Sequence, residues 1–577
     1  MQIKTTTQKN LKTWLDADIA PEIKKELKRL IKEHPNEIEE GFYTRLTFGT
    51  GGLRAVMGLG TNRMNIYTVG MATQGLANYM KRVESKKRVF ISYDCRNNSR
   101  LFAERTAKVL AGNGIEAILT KELRPTPYVS FGCRFLNCGA GVMITASHNP
   151  PEYNGYKVYW KDGGQVVAPH DAGIIQEVNR ISSLDEVHAV EDLKHPFIKE
   201  VLKEVDTAYL DTIAAMQLTP DTNRKFGKQI HIVYSNLHGT GITLMPRAME
   251  RWGFTRVSTV EEQDAPDGSF PTARSPNPEE KKALESGLKK LKEVEGDLLI
   301  ATDPDADRVG LAVRHQGKTH LLNGNQVACL LLNHICKAEK KLPDNAAFVK
   351  TIGTTELFRS IAEAHGGACI EVLTGFKYIA EKIEQWENTP QGMQFIFGGE
   401  ESYGYLFGTH SHDKDAVISS TLIAEAALAA KLEGKTLIDQ LHALWKTYGI
   451  HVEKLSTFTF PETKEGREKM ESGMHKIKHS PPKTLNGIIV KTIENYQTST
   501  KTNLSTGSKE PLSLPKSETL RLWLEDGSKV MVRPSGTEPK VKFYCGVKSD
   551  SFHSIDDGVA KLELHAQHLL DSLKNLF

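Results

Sequence analysis

No apolar run in the 577 residues approaches the ~18 needed to cross a bilayer, which removes the membrane-spanning helical class. The opening residues, MQIKTTTQKNLKTWLDADIA, lack the apolar stretch of a secretory signal. Cysteine is sparse: the seven residues at 95, 133, 138, 329, 336, 369 and 545 form no CxxC pair and no even framework. Reduced thiols in a cytoplasm are the expectation. Charge of one sign is missing too, since 74 Lys and Arg face 71 Asp and Glu for a net +3. A balance of that kind supplies no whole-chain motive for binding nucleic acid or an anionic membrane. What remains, 25% charged and 39% hydrophobic residues, is the composition of an ordinary soluble globular protein. Its length predicts about four domains of ~150 residues each. Composition leaves the reaction open.

The first 45 or so residues predict a helical lead-in, with Ile23, Leu27, Leu30 and Ile31 at helical spacing among paired charges. Short β-rich runs then alternate with amphipathic helices. RVFISYD (88–94) reads as a buried strand, LFAERTAKVLAGNG (101–114) as a helix with a glycine stop, and EAILT (116–120) as the next strand. The rhythm returns at 229–236, 297–303, 346–352 and 393–399. It argues for α/β with largely parallel sheets, whose functional loops gather at the strands' C-terminal ends. The last ~125 residues differ: strands at 486–493 and 528–532 flank TSTKTNLSTGSKEPLSLPKS, whose scarcity of large apolar residues predicts a mobile surface insertion.

Four loops carry chemistry. In GVMITASHNPPEYNGYK (141–157) an apolar strand runs into Ser147, and the two prolines beyond it forbid a helix. A hydroxyl presented on such a turn, with His148 and Lys157 near in sequence, suits a nucleophile or phosphoryl carrier; a plain turn that stops a strand fits the same residues. In DLLIATDPDADRVGLAVR (297–314), Asp303, Asp305 and Asp307 crowd one loop. Three close carboxylates repel unless a cation offsets them, and oxygen-only ligands favour Mg²⁺ over zinc; a solvated acidic turn is the alternative. The EF-hand reading fails, because Arg308 and Arg314 stand where that loop needs Gly and Glu. MQFIFGGEESYGYLFG (393–408) places Glu400, Glu401 and Ser402 after a Gly-Gly turn, where carboxylates can accept from sugar hydroxyls. SKVMVRPSGTEPKVKFYCGV (528–547) sets Arg533, Ser535, Gly536 and Thr537 between two strands, a set able to grip a phosphate or simply to turn the chain. Together the four loops describe a phosphosugar site assembled from several domains.

The order TASHNP, DPDADR, GEESYG, RPSGTEPK resembles the α-D-phosphohexomutase superfamily from about residue 45 onward. FGTGGLRAVMGLGTNRMN (48–65), FPTARSPNPEE (270–280) and the DPDADR form of the metal loop resemble its phosphoglucomutase/phosphopentomutase branch. The resemblance implies four domains, three related α/β domains with mixed sheets and a C-terminal α+β domain, around a central cleft. Boundaries are expected at 1–208, 209–323, 324–450 and 451–577, holding in turn the phosphoserine, metal, sugar and phosphate loops.

By the same resemblance Ser147 carries the phosphoryl group. Asp303, Asp305 and Asp307 hold one Mg²⁺, with an oxygen at Ser147 as a further ligand. Lys157 and His148 are the candidates for general acid and base, and Arg54 and Arg308 are electrostatic helpers. Lys377, Glu400 and Ser402 contact the sugar, while Arg533, Ser535, Gly536 and Thr537 hold its non-reacting phosphate. The implied reaction interconverts glucose 1-phosphate and glucose 6-phosphate through glucose 1,6-bisphosphate, which also serves as activator. Sugar phosphates are the expected partners, with no nucleic acid or membrane, and a cytoplasmic monomer or dimer is expected. Phosphopentomutase and hexose-bisphosphate synthase are the rivals within the branch; a non-catalytic phosphosugar binder and a Mg²⁺ phosphatase are the more distant ones.

Overall fold

Paired charges and apolar residues at three- to four-residue spacing open the chain as three helices, Thr5–Asp16, Pro21–Glu33 and Pro35–Phe42. Proline at the first turn of the second and third helices costs no hydrogen bond there, so each break also starts the next helix. Trp14, Leu27, Ile38 and Phe42 bury their side chains between them, with the Trp14 ring edge-on to Phe42 at 5.4 Å. The computed structural model describes residues 4–49, 51–339, 341–461, 463–534 and 540–577.

The first sheet joins β1 (Gly52–Val56), β2 (Arg88–Tyr93), β3 (Glu116–Thr120), β4 (Ala140–Ile144), β5 (Tyr153–Trp160) and β6 (Ile198–Val201) in the order β1-β5-β4-β2-β3-β6. The run β4-β2-β3-β6 is parallel, whereas β1 and β5 are antiparallel additions. The sheet is therefore mixed, where strand–helix alternation predicted a largely parallel one. β4 is apolar and buried along its whole length, as a sheet covered on both faces requires.

The second sheet, β7 (Ile232–Ser235), β8 (Val257–Thr259), β9 (Leu298–Thr302), β10 (Val309–His315) and β11 (Lys318–Leu322), has the order β11-β10-β9-β7-β8. Its parallel half (β9-β7-β8) and antiparallel half (β9-β10-β11) meet at β9, and the aspartate loop leaves from there. Beyond it, β12 (Ala346–Thr351) and β13 (Ala368–Val372) pair in parallel, and β14 (Gln394–Gly399) and β15 (Tyr405–Phe407) flank the Glu400 loop.

The C-terminal sheet is antiparallel throughout. It runs β16 (Ile450–Thr459), β23 (Lys540–Ser549), β22 (Lys529–Pro534), β21 (Leu520–Leu524), β18 (Ile488–Asn495), β19 (Thr500–Asn503), β20 (Lys509–Pro511), with β17 (Thr484–Leu485) beside β18. Helix Ile555–Lys574 packs on β16 and β23. The Ser/Thr/Lys-rich stretch read as a mobile insertion is instead a hairpin: β19 and β20 extend the sheet edge, joined by a turn in which Asn503 Oδ1 accepts from the amides of Ser505 and Thr506. Polar β-branched residues make good edge strands even when they bury little, so low apolar content misdirected the reading.

By its internal contacts the chain divides into two compact units. One comprises Met1–Gly324, Phe376–Gly398 and Ser402–Gly434; the other comprises Asn325–Gly375, Gly399–Glu401 and Lys435–Phe577.

Candidate active site

Ser147 lies three residues past β4, at φ +52°, a left-handed conformation that a non-glycine residue adopts only under local constraint. The constraint is visible. Thr145 Oγ1 accepts from the Ser147 amide at 2.8 Å, and the Asn149 amide donates to Ala146 O at 3.1 Å. Beneath the turn lies the guanidinium of Arg96, fully buried, donating to the carbonyls of Ser147 (2.6 Å), Pro150 (2.9 Å), Tyr153 (3.0 Å) and Asn149. Asp94 in turn holds Arg96, through the Arg96 amide (2.9 Å) and a 3.4 Å ion pair. Arg96 was absent from the residues expected at the site. Its signal was DCRNNSR at the C-terminal end of β2, where loops of parallel strands gather.

The Ser147 hydroxyl donates to Asp303 Oδ2 at 2.8 Å and lies 3.2 Å from His148 Nδ1. Two loops far apart in sequence thus meet at one oxygen. Asp303, Asp305 and Asp307 are all buried, with one carboxylate oxygen from each within 4.8 Å of the others. The amides of Asp307 (3.1 Å) and Arg308 (3.0 Å) donate to Asp303 Oδ1, while Thr126 Oγ1 (2.7 Å) and Lys157 Nζ (2.8 Å) donate to Asp305 Oδ2. Lys157 and Lys414 reach Asp307 Oδ2 at 3.2 and 3.1 Å. Asp305 Oδ1 and Asp307 Oδ1 are buried without a hydrogen-bond partner. Unpaired carboxylate oxygens in a buried site are costly, and an oxygen-seeking divalent cation satisfies them, so the trio fits a metal. Gly239 closes the loop from below, since a Cβ there would stand 2.3 Å from Pro304 Cα.

Burial, followed by the charges of Asp305 and Asp307, pushes the Asp303 carboxyl well above the usual range. Burial acts the same way on Asp305, but Lys157 and Thr126 outweigh it and hold that group low. Lys157 sits on β5 between Gly52 of β1 and Met143 of β4. Gly52 is required there: at φ +134°, its Cβ would stand 1.8 Å from Tyr156 O. Burial alone would lower the Lys157 ammonium, yet Asp305 and Asp307 raise it above its ordinary value. That field keeps Lys157 charged, so of the two roles it suits the acid rather than the base. His148 is held well below its ordinary value by desolvation and by Arg308 and Arg54, so it is neutral near pH 7.

The other expected residues divide. Arg54 Nη1 donates to Asn149 Oδ1 at 3.1 Å, on the serine loop. Arg308 is paired to Glu279 and stands 3.9 Å from Asp307. Lys377 lies with its ammonium 5.1 Å over the Tyr378 ring. Glu400 is buried and accepts from the Gly375 amide at 2.9 Å, while its neighbour Glu401 accepts from Thr351 Oγ1 (2.6 Å) and Thr354 Oγ1 (3.2 Å). Ser402 is half-buried. Arg533, half-buried on β22, lies beside the Tyr544 hydroxyl. Ser535, Gly536 and Thr537 lie outside the described residues.

A strained serine on an arginine-stapled loop, bonded into a buried aspartate trio and set on mixed-sheet α/β/α domains, defines a phosphohexomutase. Three family models match in chain order: phosphoglucomutase/phosphomannomutase α/β/α domain I over residues 45–185, domain II over 207–317 and domain III over 323–448. The chain belongs to this family, whose members are isomerases that move a phosphoryl group within a sugar. Among its relatives are the phosphoglucomutases of Staphylococcus aureus strain USA300, 37% identical over 91% of this chain and 94% of theirs, and of Staphylococcus haemolyticus strain JCSC1435, 34% identical over 90% and 94%. The fold is also that of Paramecium pp63/parafusin in its open form, with TM-score 0.66 at 16% identity, covering 92% of this chain and 96% of that one.

Proposed function

We propose that this chain is a phosphoglucomutase, interconverting glucose 1-phosphate and glucose 6-phosphate through a phosphoserine at Ser147 and a glucose 1,6-bisphosphate intermediate. The observation that carries the reading is the 2.8 Å bond from Ser147 Oγ to Asp303 within the buried trio. In the forward half-reaction a sugar hydroxyl oxygen attacks the phosphorus at Ser147. The new O–P bond forms as the bond to Ser147 Oγ breaks, and the hydroxyl proton leaves to a neighbouring base. Neutral His148, 3.2 Å from Ser147 Oγ, can accept a proton, and charged Lys157 can donate one. In the second half-reaction Ser147 Oγ attacks the phosphorus of the intermediate's other phosphate, the bond from that phosphorus to the sugar oxygen breaks, and the sugar oxygen takes up a proton.

Asp303, Asp305, Asp307 and an oxygen at Ser147 would hold one Mg²⁺ per chain, and that ion would offset charge on the transferring phosphoryl group. Arg96 fixes the serine loop through four carbonyls and so aims the hydroxyl. Arg54 and Arg308 supply positive charge on the same side. Lys377, Glu400 and Ser402 serve the sugar, and Arg533 with Ser535, Gly536 and Thr537 the distal phosphate. The domain partition 1–208, 209–323, 324–450 and 451–577 gives each loop its own domain.

No described helix is long and apolar enough to cross a membrane. The proposed enzyme acts on small sugar phosphates in the cytoplasm, as a monomer or dimer. A panel of sugar 1-phosphates, assayed for isomer formation with and without added hexose bisphosphate, tests the proposal. Glucose 1-phosphate should turn over fastest, and bisphosphate should shorten any lag. Preference for ribose 1-phosphate would make the chain a phosphopentomutase, and net release of inorganic phosphate would make it a phosphatase.

A further inference from the structure

A second group of potential ligands stands apart from the aspartate trio. His412 is completely buried, and neither ring nitrogen has a hydrogen-bond partner. One nitrogen of that ring and one oxygen each from Asp162 and Glu384 lie within 4.8 Å of one another. Nδ1 faces Asp162 Oδ2 at 3.6 Å and Nε2 faces Glu387 Oε2 at 3.4 Å, within ion-pair range but without a hydrogen bond. Glu387 is occupied from its other side by Arg134, at 3.1 and 3.3 Å. Asp162 is oriented by the Gly164 amide, which donates to its Oδ2 at 3.1 Å.

Charge and donor type both point to a cation. Three carboxylates, Asp162, Glu384 and Glu387, surround His412, and Arg134 is the fixed positive charge paired among them. With Glu387 paired to Arg134, Asp162 and Glu384 are left as two carboxylates beside one imidazole, a set that a divalent ion suits. One imidazole with two carboxylates suits Zn²⁺ or Mn²⁺ and disfavours Mg²⁺, which takes oxygen alone. The Nε2 side completes the pattern: a metal-bound histidine commonly turns its other N–H toward a carboxylate, here Glu387, itself held by an arginine.

We propose that His412 Nδ1, Asp162 and Glu384 form a second, structural divalent-metal site of the zinc class, with Glu387 as the carboxylate behind the histidine. Asp162 follows β5, the strand of Lys157. Glu384 lies on helix Phe376–Glu387, which also carries Lys377, and His412 lies on the loop that delivers Asp413 and Lys414. Lys414 reaches Asp307 at 3.1 Å, and Asp413 accepts from the Tyr159 hydroxyl at 2.8 Å. A metal at His412 would therefore staple the wall behind the aspartate trio while touching no reacting group.

The test separates this site from the trio by working in the full-length chain carrying Asp303→Asn and Asp305→Asn. After dialysis against a zinc buffer and then metal-free buffer, elemental mass spectrometry should find one zinc per chain, and zinc should raise the melting temperature of the stripped protein. Adding His412→Gln should remove that zinc. Glu384→Gln, at a half-buried position that tolerates an amide, should also remove it, and Glu387→Gln should weaken binding by about 10–100-fold. Retention of zinc by a folded His412→Gln or Glu384→Gln chain would overturn the proposal. So would a trio variant that holds no zinc, which would make His412 an imidazolium bridging its carboxylates.

Discussion

Two of the buried charge clusters are built on opposite terms. In the unit that holds β12, β21 and β22, Lys350, Lys529 and Arg521 face Glu356, Glu371 and Glu494. Lys350 donates to Glu356 (2.9 Å) and Glu371 (2.8 Å), and Lys529 to Glu356 (2.9 Å) and the carbonyls of Ile352 and Thr354. Arg521 grips Glu371 through two nitrogens at 3.0 Å and Glu494 at 2.7 Å. Arg359 adds a further positive charge beside Glu356 at 3.4 Å, and every one of these head groups has a partner. In the other unit the aspartate trio faces Lys157 and Lys414, and two carboxylate oxygens stay unpaired. A closed ion cluster stabilises a fold; an open one has room for a reactant. Burial alone does not distinguish the two.

The largest expected effect lies at the open cluster. Ser147→Ala should lower isomerisation by at least ~10³-fold with an unchanged circular dichroism spectrum, because the carrier oxygen is gone while the turn stays stapled by Arg96. Normal turnover by a folded variant would remove the open cluster from the chemistry. Exhaustive chelation should likewise abolish activity and Mg²⁺ restore it, with Mg²⁺ also raising the melting temperature; full activity without divalent ions would make the trio a closed cluster after all.

The closed cluster should respond in stability instead. Lys529→Met leaves Glu356 short of a partner and should cost about 3–5 kcal/mol in denaturant unfolding, whereas adding Glu356→Gln should recover part of that loss. Additive losses would show that the cluster is not one network. Arg533→Ala should raise KM for the sugar phosphate by about tenfold or more with a smaller change in kcat, as removal of a charged phosphate contact does. Unchanged KM and kcat would take Arg533 out of phosphate binding.

The smallest effect concerns Glu453 at the margin of the closed cluster. Burial, opposed by Thr355 and Lys529, pushes its carboxyl up to about 7 from an ordinary 4.5. The folded chain thus binds this proton more tightly than the unfolded one. The resulting stability is complete below pH 4.5 and is lost as pH rises through 7. Glu453→Gln should flatten that slope and stabilise the protein at pH 8 by about 1–3 kcal/mol. An identical pH dependence in the variant would show that Glu453 is ionised throughout.

The open cluster was far easier to read from sequence than the closed one. Ser147 and the three aspartates sit in unbroken runs whose residue types declare their chemistry, and the strands before them announce themselves by apolar content. Arg96 escaped because its partners are backbone carbonyls of residues 147–153, and a carbonyl leaves no trace in a sequence. Lys414 escaped because it reaches Asp307 from more than a hundred residues away. The same holds for Lys350, Glu371 and Lys529, each on its own an unremarkable charge on a strand. The edge hairpin at 500–511 was missed for another reason: it is held by backbone pairing, and its side chains bury little.

The most direct measurement is peptide mass spectrometry of the protein after brief exposure to glucose 1,6-bisphosphate with isotope-labelled phosphates, followed by a chase with unlabelled glucose 1-phosphate. A single labelled phosphate is expected on the peptide containing Ser147, replaced during the chase by unlabelled phosphate as the label passes to the sugar phosphate. A phosphate on another residue, or label that stays on Ser147 while isomer accumulates at full rate, would contradict the phosphoserine mechanism.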